Sequence, residues 1–363
     1  MKKNIINLIV ILSLLQSSCG PKSKLSENET DTYRINEIEF SDFQINRNLN
    51  GNKLNLKKLT YPRYVVALDD YIVIAESKAD TMFHILTSND FQYVKSIGKY
   101  GVGPLEVEGS SRLFKSSKKN SFWSNYVNSK TKSEYSIDSI SILANRQIKP
   151  VNQEMYLASQ IAFSSENSFL STRNNGDDKY VEFSFDGEIL STYERWSDML
   201  NITNYPINVI SSLFQGKLAG NKSYSHFAYA CLDADIVEIL DKKSNTVTSI
   251  RGPIYHLPEF EVDFSAGYPM CQLNLRTIRY SYLDVNVTDS KVYALFSGHT
   301  YKEVDVEKKA GLKNQIFVFD FEGKPIANYM LDYPIISFSI DEKRNRIIAI
   351  TDDEDPNVVV YRL

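Results

Sequence analysis

The sequence predicts an all-β chain folded as a six-bladed β-propeller whose last blade is closed by an N-terminal strand. Three observations carry this expectation. Short strand-like segments bounded by turn chemistry recur from Tyr33 onward, and almost none keeps helical spacing for three turns. One strand-turn-strand pattern occurs twice. The final unit, Ile335 to Leu363, has room for only three strands. The composition agrees, since 23 Tyr and 19 Phe against 15 Gly suit the pleated, half-buried surface of a sheet.

The chain opens with Lys2 and Lys3, an apolar run from Ile5 to Leu15, and Gln16-Ser17-Ser18 ahead of Cys19. A charged start, a short apolar core and small residues before one cysteine resemble a bacterial lipoprotein signal. Residues 1–18 are therefore expected to be removed and Cys19 to be the lipid-attachment site, with a plain secretory signal as the alternative. The apolar run is too short to cross a hydrocarbon core about 30 Å thick, which needs roughly 20 helical residues. Acyl chains at Cys19 would hold the protein on a membrane, because each buried methylene contributes about 0.8 kcal/mol. The expected location is the cell envelope, most plausibly the outer membrane. Gly20-Pro21-Lys22-Ser23-Lys24 does not distinguish its periplasmic from its surface face. Residues 19–32 are polar and aperiodic and read as a flexible tether, which leaves 33–363 for the propeller.

Within 33–363 the expected strands include Tyr71 to Ala75, Met82 to Leu86, Tyr180 to Phe185, Lys291 to Phe296, Gln315 to Phe319, Arg346 to Thr351 and Val358 to Tyr361. The repeated pattern is Phe-acid-Gly-x-x-aliphatic-x-x-Tyr, at Phe185 to Tyr193 and again at Phe321 to Tyr329. Its acid-Gly pair supplies the positive φ of a tight hairpin. Ile85-Leu86 running to Gly98 and Ile239-Leu240 running to Gly252 form a looser pair. Closing strands near Val94, Leu143, Leu190, Thr248 and Asn328 define five units. Residues 253–279 and 298–314 read as loops added to the fifth. A strand from Tyr33 to Leu59 must complete the sixth, which protects the edges of the ring. Two β-sandwich domains and a seven-bladed ring are the competing architectures. No composition shift marks a linker for the first, and no seventh closing strand is found for the second.

Removal of residues 1–18 takes away two lysines and leaves a formal charge of -6, which argues against a nucleic-acid surface. The basic stretch Lys115 to Lys119 reads as a solvated hairpin. Cys231 and Cys271 stand about 40 residues apart; a disulfide there would stabilise by roughly 3 to 4 kcal/mol, yet two buried or half-buried thiols fit their surroundings better.

Ile97-Gly98-Lys99-Tyr100-Gly101-Val102-Gly103-Pro104-Leu105-Glu106 follows the strands Asp69 to Ile74 and Phe83 to Leu86. This stretch resembles the TolB-like six-bladed propeller lipoproteins of Bacteroidetes. In that family the segment runs Gly-x-Gly-Pro-Gly-Glu-Phe, whereas this chain has Leu105 at the second turn glycine and Val107 at the aromatic. The resemblance implies the fold and an envelope location, and it carries no catalytic residues. Read from the residues themselves, Gly98, Gly101, Gly103, Pro104 and Glu106 form a structural turn between blades. A phosphate cradle would need a helix behind the glycines, and Leu105 to Leu113 has no helical face.

Nothing else rises to a catalytic motif. His84, His226, His256 and His299 lack metal-ligand spacing, and His84 alternates within an apolar strand. Asp352-Asp353-Glu354-Asp355 lacks the central glycine of a calcium loop and reads as a hairpin tip. No Gly-x-Ser-x-Gly elbow occurs. The insertions gather aromatics, namely Tyr255, Phe260, Phe264, Tyr268, Tyr280 and Tyr282, and Trp196 precedes a loop rich in Asn and Tyr. Tyr255, His256, Phe260, Tyr268 and His299 are the candidate binding residues, because loops on one propeller face are where ligands dock. The expected function is a binding or scaffolding module, more plausibly not an enzyme, for an envelope protein or glycan. It is expected to act as a monomer, with no nucleic-acid partner, no assigned catalytic residue and no required cofactor. The alternative is a metal-dependent hydrolase or lactonase holding a divalent metal at the channel mouth. Replacing Cys19 by Ser is expected to move the protein from the membrane pellet to the soluble fraction of broken cells, and retention in the pellet contradicts the lipid anchor.

Overall fold

Six antiparallel sheets follow one another around a central channel in this computed structural model, which describes residues 33–196, 199, 205–309 and 314–363. The signal, Cys19 and the tether lie outside the described residues. Blade I uses Pro62–Ala67, Tyr71–Glu76, Thr81–Thr87 and Tyr93–Lys99, in order from the channel outward. Blades II to V repeat the order from Arg112–Lys115, Ala158–Phe163, Gly216–Gly220 and Tyr282–Val287, the innermost strand of each. Blade VI has three C-terminal strands, Ile335–Asp341, Arg346–Thr351 and Val358–Arg362, and takes its fourth, Asn52–Lys53, from the N-terminal segment. The expected strands appear within one or two residues of the sequence reading. One differs: the closing strand of blade II is Arg146–Ile148 rather than a strand centred on Leu143, because residues 137–145 form a loop that bonds sideways to Gly98 and Leu105 of the preceding corner.

The core is divided into six apolar layers, one at each blade-blade interface. Alternation along each strand assigns residues to the two neighbouring layers. Ile72 and Ile74 pack toward blade VI, whereas Val73 and Ala75 pack toward blade II. Phe227, Tyr229 and Cys231 face blade III, and Ala228 and Ala230 face blade V. The second and third strands of a blade are buried on both sides, which is why stretches such as Ile72 to Ala75 are continuously apolar. Gly187 and Gly323 adopt φ of 86° and 80° in the third-to-fourth-strand turns of blades III and V, as the acid-Gly repeat requires.

The N-terminal segment does more than close the last blade. Tyr33–Glu37 lies parallel to Thr246–Arg251 as a fifth strand of blade IV, and Ile45–Leu49 lies parallel to Pro325–Leu331 as a fifth strand of blade V. Between them Ile38 and Phe43 enter the layer between those blades, with the Phe43 ring 4.8 Å from that of Phe317. Asn52 and Lys53 then pair with Val360 and Val359. Side chains lock this last pairing. Gly51 N–H donates to both Asp332 oxygens at 3.0 and 3.1 Å, Leu56 N–H donates to Asn357 Oδ1 at 3.0 Å, and Lys53 Nζ pairs with Asp353 at 2.9 Å. The acidic Asp352 to Asp355 tip therefore has a use that the sequence did not reveal, as the anchor of the closing strand.

One layer holds a buried ion pair. Lys179 of blade III and Glu238 of blade IV are fully buried, with Nζ 2.6 Å from Oε2. Tyr180 OH donates to the same oxygen at 2.5 Å, and Tyr33 OH of the N-terminal strap, the segment that carries Tyr33–Glu37 and Ile45–Leu49, donates to Oε1 at 3.4 Å. The ammonium sits 4.8 Å from the Trp196 ring and 5.0 Å from that of Tyr229, so aromatic faces supply the rest of its surroundings. Burial and the Glu238 carboxylate push the Tyr180 hydroxyl well above the ordinary tyrosine range, which keeps it a donor. Trp196, which precedes a loop rich in Asn and Tyr, is 1% exposed, because it covers this lysine and donates from its indole nitrogen to Arg173 O at 2.8 Å. Removing one partner of such a pair leaves an uncompensated buried charge. Glu238→Ala is expected to cost about 3–5 kcal/mol in denaturant unfolding, whereas Lys179→Met combined with Glu238→Leu recovers most of it; equal, additive losses contradict the pairing.

Candidate binding face

Antiparallel connectivity gives the ring two chemically distinct faces. One carries the turns from each innermost strand to the second, and the other carries the second-to-third turns together with the crossings between blades. The first face is charged. Asp69 and Asp70 of blade I meet Lys222 of blade IV at 3.8 Å, Lys119 of blade II at 3.8 Å and Lys343 of blade VI at 3.5 Å. Lys115, read from sequence as part of a solvated hairpin, points into this mouth and donates to Ile340 O at 3.2 Å, while Lys118 and Lys119 do stand on the rim. None of the exposed large apolar side chains among the described residues lies in these turns.

More than half of those side chains lie on the opposite face. They run from Val102 at the crossing of blades I and II, through Tyr156 and Tyr205, to Leu257, Phe264, Tyr268 and Leu275 beside blades IV and V, and on to Val306. Three insertions build this side. Helix Ile207–Leu213 lies between blades III and IV, the hairpin Phe260–Asp263 and Met270–Leu273 between blades IV and V, and the π-helical turn Lys302–Val306 within blade V. Residues 253–279 thus belong to a crossing and not, as expected, to the fifth blade itself.

The hairpin is held at its base and free at its tip. Asp235, fully buried, accepts from Ile254 N–H at 2.9 Å and from Tyr282 OH at 2.8 Å. Burial raises its carboxyl above the usual range, and those two donors pull it partly back. Tyr282, expected among the insertion aromatics, is therefore a fully buried anchor at the start of blade V. Tyr255 packs under Arg251 at 5.1 Å, and Phe260 meets the Tyr205 ring at 5.1 Å. Both lean on the apolar layer of blades III and IV, as does the half-buried Cys271, while Cys231 is buried within that layer and both thiols are free. At the tip Phe264 is 64% exposed and Tyr268 57%.

The sequence candidates thus separate. Tyr268 is displayed, and Tyr255 and Phe260 are supports. His256 is half-buried, with Nδ1 3.1 Å from Ile254 O and a buried Nε2 that has no partner among the described residues. It lies close enough to Asp233 and Asp235 to favour their charged forms. His299 stands across from Tyr280, whose N–H donates to its carbonyl at 2.9 Å. Tyr280 OH donates to Asp305 at 2.7 Å, which ties the hairpin base to the Lys302–Val306 turn. Leu257, Leu275, Val306 and Tyr205 were not singled out from sequence. His84 is a satisfied core residue, with Nδ1 2.8 Å from Ser96 Oγ and Nε2 3.6 Å from Glu76. Among the described residues no three of His, Cys, Asp and Glu converge as a metal site would require.

The glycine motif is structural. Glu106 folds back over its own loop, accepting from Gly103 N–H at 2.8 Å and from Lys99 Nζ at 2.7 Å. The Lys99 bond first, and then the Gly103 N–H, hold its carboxyl below the usual range. A Cβ at Gly101 would fall on that carboxylate. Gly98 has φ of 80°, and a Cβ there would run into the Phe83 ring. Leu105 has φ of 62°, so a branched residue holds the left-handed conformation here at a cost of roughly 1–2 kcal/mol. The loop thereby lifts Val102, 87% exposed, onto the apolar face. This division of roles predicts that Phe264→Ser with Tyr268→Ser leaves the unfolding midpoint unchanged, whereas Phe260→Ala lowers stability by about 1–3 kcal/mol; equal effects contradict the assignment of tip and base.

Comparison with known proteins agrees with the geometry. The family described as TolB-like 6-blade propeller-like matches residues 39–343. The crystal structure of a protein from Bacteroides fragilis NCTC 9343, named as exported, is similar at a TM-score of 0.52 and 12% identity, covering 91% of this chain and 99% of that one. A duf4221 family member from Bacteroides vulgatus is similar at a TM-score of 0.54 and 9% identity, covering 87% and 96%. At these identities the likeness shows the fold. No curated protein matches the sequence. With six blades closed by an N-terminal strand and the family match spanning most of the ring, the chain belongs to the TolB-like six-bladed propeller family.

Proposed function

We propose that this propeller is an envelope-anchored docking module, which presents its insertion-bearing face to a partner protein. The observation that carries the reading is that more than half of the exposed large apolar side chains among the described residues gather on one face, opposite a mouth laced by ion pairs. Exposed apolar groups gathered on one side of a soluble fold mark interaction sites. Aliphatic Val102, Leu257, Leu275 and Val306 accompany the aromatic tips. Sugars stack on aromatic rings and gain little from branched aliphatics, so the mixture favours a protein surface over a glycan.

The mechanism is rigid display. The six layers and the strap fix the blades, and the anchored hairpin base sets Phe264 and Tyr268 in place without ordering cost on binding. A lipid on Cys19, reached through residues 20–32, would keep this face near membrane-bound partners, and the exported name carried by one structural neighbour is in keeping with that location.

Native protein cross-linked in intact cells and captured by affinity is expected to bring down a stoichiometric envelope protein. The same capture with Phe264→Ser and Tyr268→Ser is expected to recover at least about tenfold less. Equal recovery by the double variant, or capture of glycan without protein, contradicts the proposal.

A further inference from the structure

The layer between blades II and III buries a lysine that has no carboxylate. Lys132, on the third strand of blade II (Thr131–Ser136), is 1% exposed. It stands opposite Asn125 of the second strand and Ile148 of the fourth. Among the described residues its Nζ forms no ion pair and donates to a single acceptor, the carbonyl of Lys130, at 3.1 Å. Across the layer it meets the face of the Phe169 ring, 4.1 Å away, in company with Trp123, Ile148 and Val181. The layer between blades III and IV treats its own lysine differently, giving Lys179 the Glu238 carboxylate at 2.6 Å.

No carboxylate is spare around Lys132. Glu134, two residues along the same strand, pairs with Lys118 at 2.9 Å, and Glu108 reaches Thr131 at 3.4 Å on the opposite side of that strand. Arg112, in the same cross-strand row, holds Asp284, and Arg173 of blade III holds Glu154. Arg146 of the outer strand stands 4.8 Å over the Phe185 ring. Burial first, and then the nearby Lys130 charge, push the Lys132 amine from the ordinary 10.5 down to about 7. The row holds two further unmet groups, since Arg112 Nη1 and Asn125 Oδ1 are buried without a hydrogen-bond partner among the described residues.

We propose that Lys132 makes the seam between blades II and III proton-sensitive, so that the ring is closed tightly there while the amine is neutral and opens more readily once the ammonium forms. A buried ammonium facing one carbonyl and one ring has lost its water without gaining a counter-charge. Opening returns the amine to water, where it keeps its proton up to about pH 10.5, whereas the closed seam releases it near 7. Between those values opening takes up one proton. Closure therefore strengthens as pH rises through this window, about tenfold in the opening constant per pH unit, and the contribution is level below about 7. The seam lies in the core and does not depend on the partner-docking reading.

The test is denaturant unfolding of the purified protein and of Lys132→Met at constant ionic strength from about pH 6 to 10.5, with the NMR signals of ¹³C-labelled lysine ε-carbons followed over the same range. Methionine keeps the aliphatic stem and removes the charge. The variant is expected to be more stable than the parent at and below about pH 7, with an advantage in the unfolding constant that falls about tenfold per pH unit above 7 and is gone near 10.5. One lysine signal of the parent should titrate near 7 and be missing from the variant, and Lys222→Met at the charged mouth should follow the parent's pH profile. A difference that is constant across the range, a variant less stable at every pH, or a signal near 7 that persists in the variant would each overturn the proposal. Lysine signals that all titrate above about 9 in the parent would overturn it as well, and that result stands even if Lys132→Met fails to fold.

Discussion

Everything in this fold depends on ring closure, because a propeller blade has no core of its own. Each strand buries one side against the preceding blade and the other against the following one, so an open ring would bare two faces at once. Closure is made by two residues of backbone pairing, Asn52 and Lys53 on Val360 and Val359, which is too little to hold a ring unaided. The chain reinforces it with the Asp332, Asp353 and Asn357 contacts and with two parallel strands laid along blades IV and V. Those strands also cover edges that would otherwise offer free N–H and C=O groups to other chains.

Closure in turn separates the two mouths. The turns at the charged mouth are short and stitched together by ion pairs across opposite and neighbouring blades, such as Lys222 with Asp69. Exposed pairs of this kind contribute little stability each, and their effect is to keep that side polar and self-satisfied. The crossings on the other side carry the extra length of the chain, and they hold large apolar side chains out toward solvent. The insertions themselves are tied to the framework through Asp235, Tyr282 and the pairing of Tyr280 with Asp305, so they behave as extensions of blades IV and V.

Much of this architecture was legible in the sequence, for identifiable reasons. The acid-Gly turns at Gly187 and Gly323 demand a positive φ, and the short last unit demands a donated strand. The two parallel strap strands were not legible, since the alternation in Tyr33–Glu37 is too brief to single it out, Ile45–Leu49 has none, and both are placed by pairing with strands more than two hundred residues away. Trp196 and Tyr282 owe their burial to a feature that local sequence does not display: each is drawn inward by a buried charge, Lys179 of the same blade or Asp235 of the neighbouring one. Among the candidate binding residues, Tyr268 could be read as displayed because it sits beside Gly267 at a hairpin tip, whereas nothing local distinguishes Phe260, a support, from Phe264, a tip. Membership of the TolB-like family accounts for the six-bladed ring, and the apolar face is built on the crossings and turns at one end of it.

Radical footprinting of side chains in intact cells, compared with the same protein purified, tests most directly whether that face is covered where the protein works. The account predicts that Phe264, Tyr268, Leu275 and Val306 are oxidised several-fold more slowly in cells, while exposed Ile189 and Leu190 on the outer strand of blade III react equally in both. Equal reactivity of the four face residues in cells and in isolation would contradict it.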